Sequence, residues 1–333
     1  MLDLPIIWAA VIAFAIFAYV VLDGFDLGVG ILFVVVRDED DRDTMVNSIA
    51  PVWDANETWL VMGGGGLLAA FPLAYSIVFS ALYAPLIAML LALIFRGVSF
   101  EFRFRSPQSK AFWDVCFASG SALATFCQGI VLGAFIQGIA VEGRAYAGGW
   151  FDWLTPFSLL TGAALVIGYA LLGATWLIIK TEGVLQERMF GLAWPLTIGV
   201  LAMIVIVSVW TPLLDAEIAA RWFSWPRLLM FSPVPLLVAA DAAALAAALR
   251  NRWEYSPYLL ALGLFALSYG GLGISLYPYV VPRKITIWEA AAPDASLRFL
   301  LVGALVLIPL ILAYKSYAYW LFRGKASADA GYH

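Results

Sequence analysis

LPIIWAAVIAFAIFAYVVLDGFDLGVGILFVVV, residues 4–36, decides the fold. Residues 4–22 carry no charge, and a helix of about 20 apolar residues crosses the roughly 30 Å hydrocarbon core of a bilayer. No basic segment precedes the run, and more apolar sequence follows it where a cleavage site would need small residues. The run therefore reads as a retained membrane helix and not as a secretory signal. Inside it, DGFDLGVG (23–30) sets Asp23 and Asp26 three residues apart, on nearly the same helix face.

The rest of the chain has the same character. Of 333 residues, 63% are hydrophobic and 13% charged, and the mean hydropathy is +0.91, too apolar for a soluble domain. Nine apolar segments are expected, at about 6–36, 48–71, 75–101, 112–139, 153–179, 190–214, 227–249, 256–280 and 296–322. Breakers and charges separate them: RDEDDRD at 37–43, FP at 71–72, RFRSPQSK at 103–110, EGRAYAGG at 142–149 and SWPR at 224–227. The fold class is all-α and polytopic, a single transmembrane domain over 1–324 with a short cytoplasmic tail at 325–333. Nine spans divide into two four-helix bundles, within halves 1–140 and 150–282, and a peripheral ninth helix at 296–322. Most of the nineteen basic residues fall in loops on one side if the N-terminus lies outside and the C-terminus inside.

Other features read as packing. GGGG at 63–66 lacks the lysine and preceding strand of a phosphate loop and suits close helix contact. Gly24 and Gly28 form a small-xxx-small pair that lets a neighbouring helix close over the acids. Cys116 and Cys127 lie roughly 16 Å apart along one helix, beyond disulfide reach.

Polar residues inside the spans form three groups. A charged carboxylate at a helix centre costs about 2.5 to 3.5 kcal/mol to insert, so Asp23 and Asp26 need partners, water or protonation. A helix over 4–36 would be roughly 50 Å long and put Asp23 roughly 28 Å along it, at or inside the inner boundary. WDANETW (53–59) places Asp54 and Glu57 on a second acidic face, with Asn56 between them and Trp53 and Trp59 flanking. Trp53 suits an interfacial belt. Arg96 follows LIAMLLALIF directly and would need an acidic partner, whereas Arg103 and Arg105 read as ordinary positive-inside residues. Two acidic faces at similar depth suggest one shared site, and carboxylates, an arginine and an amide at the inner mouth of a bundle suit proton uptake. Lys180, Thr181, Glu182, Glu187 and Arg188 read as a solvated inner loop, and Asp215 and Glu217 as an outer one. Asp241, in the seventh span, reads equally as a local contact or a second functional acid.

Absences exclude other chemistries. Membrane haem is usually held by histidine, and the single histidine, His333, is the last residue. Zinc or copper sites built from His and Cys fail for the same reason. No metal or nucleic-acid partner is expected.

DGFDLGVG, NSIAPVWDANETWL (47–60), FPLAYSIVFSALYAPL (71–86) and LIFRGVSFEFR (93–103), followed by GATWLIIKTEG (173–183) and YPYVVP (277–282), together resemble subunit II of cytochrome bd-type quinol oxidases. The resemblance covers nearly the whole chain. It implies a haem-free subunit of a bacterial inner-membrane terminal oxidase, an electron-transport complex that oxidises quinol and reduces dioxygen to water. The partner, subunit I, would carry the b- and d-type haems and the quinol substrate. Asp23, Asp26 and Asp54, joined by Glu57 on the same face, would make a proton path. Arg96 would steady the polar site, and Trp59 would mark the mouth of an oxygen channel. The resemblance also leaves room for a structural quinone near Trp53, Asp54 and Arg96 and for a small single-span accessory subunit. A competing reading from the residues alone is a proton-coupled secondary transporter, which also pairs membrane acids with an arginine; nine spans without an evident inverted repeat argue against it. A purely structural subunit is a third reading.

Overall fold

The computed structural model describes residues 3–328; His333, the single histidine, lies outside them. Thirteen helices follow in order: α1 (Leu4–Leu32), α2 (Glu39–Ile49), α3 (Trp53–Ala70), α4 (Pro72–Arg105), α5 (Lys110–Gln137), α6 (Pro156–Lys180), α7 (Gly183–Leu214), α8 (Ala216–Phe223), α9 (Arg227–Phe231), α10 (Pro233–Arg250), α11 (Ser256–Leu276), α12 (Ile287–Ala290) and α13 (Asp294–Leu321). Two small antiparallel hairpins complete the chain, β1 (Val141–Glu142) with β2 (Ala145–Tyr146), and β3 (Tyr279–Val281) with β4 (Ile285–Thr286).

Eight helical segments are long and apolar enough to cross a membrane, the protein being a multi-pass membrane protein. The expected second span is not among those eight. Its helix, α3, has only 18 residues, and WDANETWLVMGGGG dilutes the apolar content with four polar residues, Asp54, Asn56, Glu57 and Thr58, and four glycines. The remaining expected spans lie within a few residues of α1, α4, α5, α6, α7, α9–α10, α11 and α13.

Several connections are more ordered than their composition suggests. RDEDDRD is not a plain loop. Asp38 caps α2 by accepting from the Asp41 amide, and Glu39, Asp40 and Asp41 fill the first turn, where acids complement the exposed amides of a helix start. Gly183 starts α7 at once, so Glu187 and Arg188 are helical and Lys180 and Thr181 are buried. Asp215 caps α8. Residues 325–327 of the tail are tied down. The Ala326 amide donates to the Lys180 carbonyl, Asn47 donates to the Ser327 carbonyl, and Lys325 pairs with Glu254 at 3.0 Å.

The loops gather at two ends. At one, Arg42 pairs with Asp114 (2.8 Å), Arg188 with Asp41 (3.4 Å) and Arg252 with Glu187. At the other, the Ala292 amide donates to the Ala70 carbonyl (2.9 Å), Trp8 Nε1 donates to the Leu297 carbonyl (3.0 Å) and Arg283 pairs with Asp215 (3.1 Å). Helix α3 runs between these ends. Helix α6 is central, with residues 168–178 buried throughout, while α13 is peripheral, its buried residues being Leu297 and Lys315. The glycines explain the close approach of α1 to α6: a Cβ on Gly28 would collide with the Tyr169 carbonyl and the Gly173 amide. Of the GGGG run, Gly63 and Gly66 meet Ile16 and Ile12 of α1, whereas Gly64 and Gly65 have open space.

Candidate functional site

The α1 acids are wholly buried, Asp23 at 1% exposure and Asp26 at 0%. Each finds a partner on a different helix. Arg96 of α4, also 0% exposed, donates through Nη1 to Asp23 Oδ1 at 3.2 Å and to Glu57 Oε1 of α3 at 2.8 Å. Its guanidinium lies 5.7 Å from the Trp53 ring centre and 5.6 Å from that of Phe100. Those two rings stack 4.6 Å apart and nearly parallel. Arg96 is thus held by two carboxylates and two aromatic faces, interactions that its planar, weakly hydrated cation makes better than lysine would.

Asp26 is held by an amide. Asn56 Nδ2 donates to Asp26 Oδ2 at 2.7 Å and to the Leu22 carbonyl at 3.2 Å, and its Oδ1 accepts from the Tyr319 hydroxyl of α13 at 2.9 Å. The three-residue spacing therefore did bring Asp23 and Asp26 onto one side of α1, but they bind separate partners. On α3 the shared face divides. Glu57 is half-buried on Arg96, while Asp54 is exposed and makes no hydrogen bond among the described residues. Trp59 is 1% exposed, edge-on to Phe14 and beneath the Lys315 ammonium.

Several participants were missed in the sequence. One turn before Asp23, the Tyr19 hydroxyl accepts from Gln128 Nε2 (2.8 Å), and Gln128 Oε1 accepts from the Tyr169 hydroxyl (2.9 Å). This buried chain leads from the acids between α1, α5 and α6. Lys315 and Tyr319 reach in from α13. Tyr19 could have been suspected from its four-residue spacing to Asp23; the others had no local signal.

Arg103 requires a correction. It is no ordinary loop cation: at 1% exposure it binds Asp114 and Asp43, which also engage Arg42 and Lys110. Helix α4 continues about two turns beyond the apolar run and carries Arg103 to Asp43 of α2. Asp241 does not join the site; it sits on α10 against Gly263 of α11.

Carboxyls linked by an arginine, an amide and phenols, and sealed by packed helices, can accept and pass protons but offer no haem ligand of the usual kind. Comparison with known proteins gives the family. Cytochrome bd-I ubiquinol oxidase subunit 2 of Escherichia coli (strain K12) is 29% identical over 368 residues, spanning 98% of this chain and 96% of that protein. Cytochrome bd ubiquinol oxidase subunit 2 of Bacillus subtilis (strain 168) is 28% identical over 340 residues, spanning 98% of each. In fold, the chain matches a chain of the bd oxidase from Geobacillus thermodenitrificans with a TM-score of 0.81 at 17% identity, covering 96% of this chain and 99% of that one. The family model for cytochrome bd terminal oxidase subunit II matches residues 4–322, and the chain belongs to that family.

Proposed function

We propose that this chain is the haem-free subunit II of a bacterial cytochrome bd-type terminal oxidase, and that it supplies a proton-uptake path to a haem-bearing subunit I that oxidises quinol and reduces dioxygen to water. The observation that carries the reading is the buried union of Asp23, Arg96 and Glu57 beside Asp26 and Asn56. Exposed Asp54 takes the outermost place, one turn from Glu57; Glu57 and Asp23 share Arg96, and Asp26 lies next along α1. Subunit I supplies the redox chemistry through its haems. The transporter reading is not favoured, because membership in an oxidase-subunit family accounts for the same acids.

The chain sits in the bacterial cytoplasmic membrane with the N-terminus outside and the C-terminus inside, crossing it nine times. Support for the ninth crossing is that α3, though short and glycine-rich, runs from the end that holds α2 to the Ala70–Ala292 contact at the other. Support for the orientation is the concentration of Arg42, Arg103, Lys110, Arg188, Arg252 and Lys325 at the first end. A structural quinone would be held beside Trp53, Asp54 and Arg96. Trp53 Nε1 and Arg96 Nε and Nη2 are buried donors without partners among the described residues, which a quinone carbonyl would satisfy. Packed Trp59 suits the mouth of an oxygen channel. An accessory single-span subunit belongs to the same proposal.

Asp54→Asn and Asp26→Asn, made separately in the intact complex, should each lower quinol oxidase turnover while leaving assembly and the haem spectrum intact. Wild-type turnover across the working pH range in both variants would sink the proton path. Purification should bring down a second polytopic chain with haem; its absence would count against the oxidase assignment itself.

A further inference from the structure

Helix α13 is almost wholly peripheral: its buried residues are Leu297 and Lys315. A lysine near the end of a membrane helix ordinarily extends its stem toward the headgroups and keeps its ammonium in water. Lys315 turns inward instead. At 6% exposure, it donates to the Ala55 carbonyl in the first turn of α3 and lies 4.9 Å from the Trp59 ring centre. One turn later on the same face, Tyr319 reaches Asn56, the amide that binds Asp26.

The charge count at the site explains what such a residue does. Asp23, Asp26 and Glu57 lie on α1 and α3, and among the described residues the cation paired with Asp23 and Glu57 is Arg96, while Asp26 has no salt bridge. Lys315 lies within electrostatic reach of Asp26 and Asp23 but forms no salt bridge with either among the described residues. The other titratable groups turned toward this space are Tyr19 of α1, Tyr169 of α6, Tyr258 of α11 and Tyr319 of α13. Buried carboxylates without enough positive charge are costly, and a second cation offsets part of that cost without locking either acid into a contact.

We propose that Lys315 is a positioning residue of the proton path: its ammonium balances the charge of Asp23 and Asp26 from α13, while its bond to Ala55 ties the first turn of α3 to α13. The inference rests on the proton-path reading above. Its test uses the intact oxidase. Lys315→Gln keeps a donor for the Ala55 carbonyl and removes the charge, Lys315→Met removes both, and Lys315→Arg restores charge.

At matched haem content, the Gln and Met variants should turn over about tenfold more slowly, the population change made by one pK unit, with a displaced pH profile. The Arg variant should recover most of the turnover and the wild-type profile. Wild-type turnover and profile in Lys315→Gln would overturn the charge-balancing role. Loss of haem content in both uncharged variants would also overturn it, because Lys315 would then serve assembly alone. Asp26→Asn and Asp54→Asn, assayed beside them, separate the two ideas: if either is impaired and Lys315→Gln is not, the path stands and this inference fails; if none of the three is impaired, the path itself fails.

Discussion

At the scale of single residues, Arg103 shows how burial turns an ordinary loop cation into a structural centre. Its guanidinium binds Asp114 through Nε and Asp43 through Nη1. Arg103→Met would strand both carboxylates, and breaking a buried pair costs about 3 to 5 kcal/mol. The lower end applies here, since Asp43 and Asp114 keep 19% and 11% exposure and have Lys110 and Arg42 as second partners. The expected outcome is a lower thermal inactivation midpoint for the complex, with Arg103→Lys giving partial rescue because it cannot span both acids as a fork. An unchanged midpoint in Arg103→Met would contradict the burial. Sequence alone showed Asp23, Asp26, Glu57 and Arg96 as residues in need of partners, because charge inside an apolar run is costly wherever the chain goes. It did not show which acid pairs with which base. The i, i+3 spacing grouped Asp54 with Glu57, yet about 60° of rotation between such positions was enough to bury one and expose the other.

At the scale of elements, the decisive contact is α1 on α6. Gly28 lies where a Cβ would strike the backbone of Tyr169 and Gly173, and backbone cannot yield as a flexible side chain can. Gly28→Ala should therefore force the helices apart, at an overpacking cost of about 1 to 3 kcal/mol, and loosen the seal over Asp23 and Asp26. Gly191→Ala in α7, with open space at its Cβ, should be neutral or stabilising by about 0.5 to 1 kcal/mol through helix propensity. Thermal stability and yield of assembled complex compare the two; equal behaviour would refute the close-contact reading. The Gly24–Gly28 spacing made this interface legible, but the identity of the neighbour was not, since any helix can fill a small-residue groove. The same limit made the GGGG run look more uniform than it is, with two glycines packing on α1 and two facing open space. Short helices such as α2 and α8 were lost because polar loops and capped polar helices have the same composition.

For the whole molecule, long apolar runs were legible from hydropathy, and their order with alternating loops gave the polytopic architecture. The clasp at the tail was not, because it depends on backbone carbonyls. There, Lys325 donates to Glu254, as does Gln186, and these hydrogen bonds hold the Glu254 carboxyl below its ordinary range. A depressed folded value means that the clasp's contribution is complete above the ordinary carboxylate value of about 4.3 and is lost as pH falls through the folded value. Limited proteolysis should accordingly find residues 325–328 protected at neutral pH and more readily cleaved below about pH 4; equal cleavage at both would exclude the clasp.

The link from Tyr319 to Asn56 bridges 263 residues. At roughly 5 to 20 residues per second, the ribosome would add α13 about 13 to 50 seconds after α3. During that interval Asn56 Oδ1 has no Tyr319 hydroxyl to accept from, so water or another donor must satisfy it. The α1–α3 part of the carboxylate site is thus made long before α13, the helix that completes its hydrogen bonding.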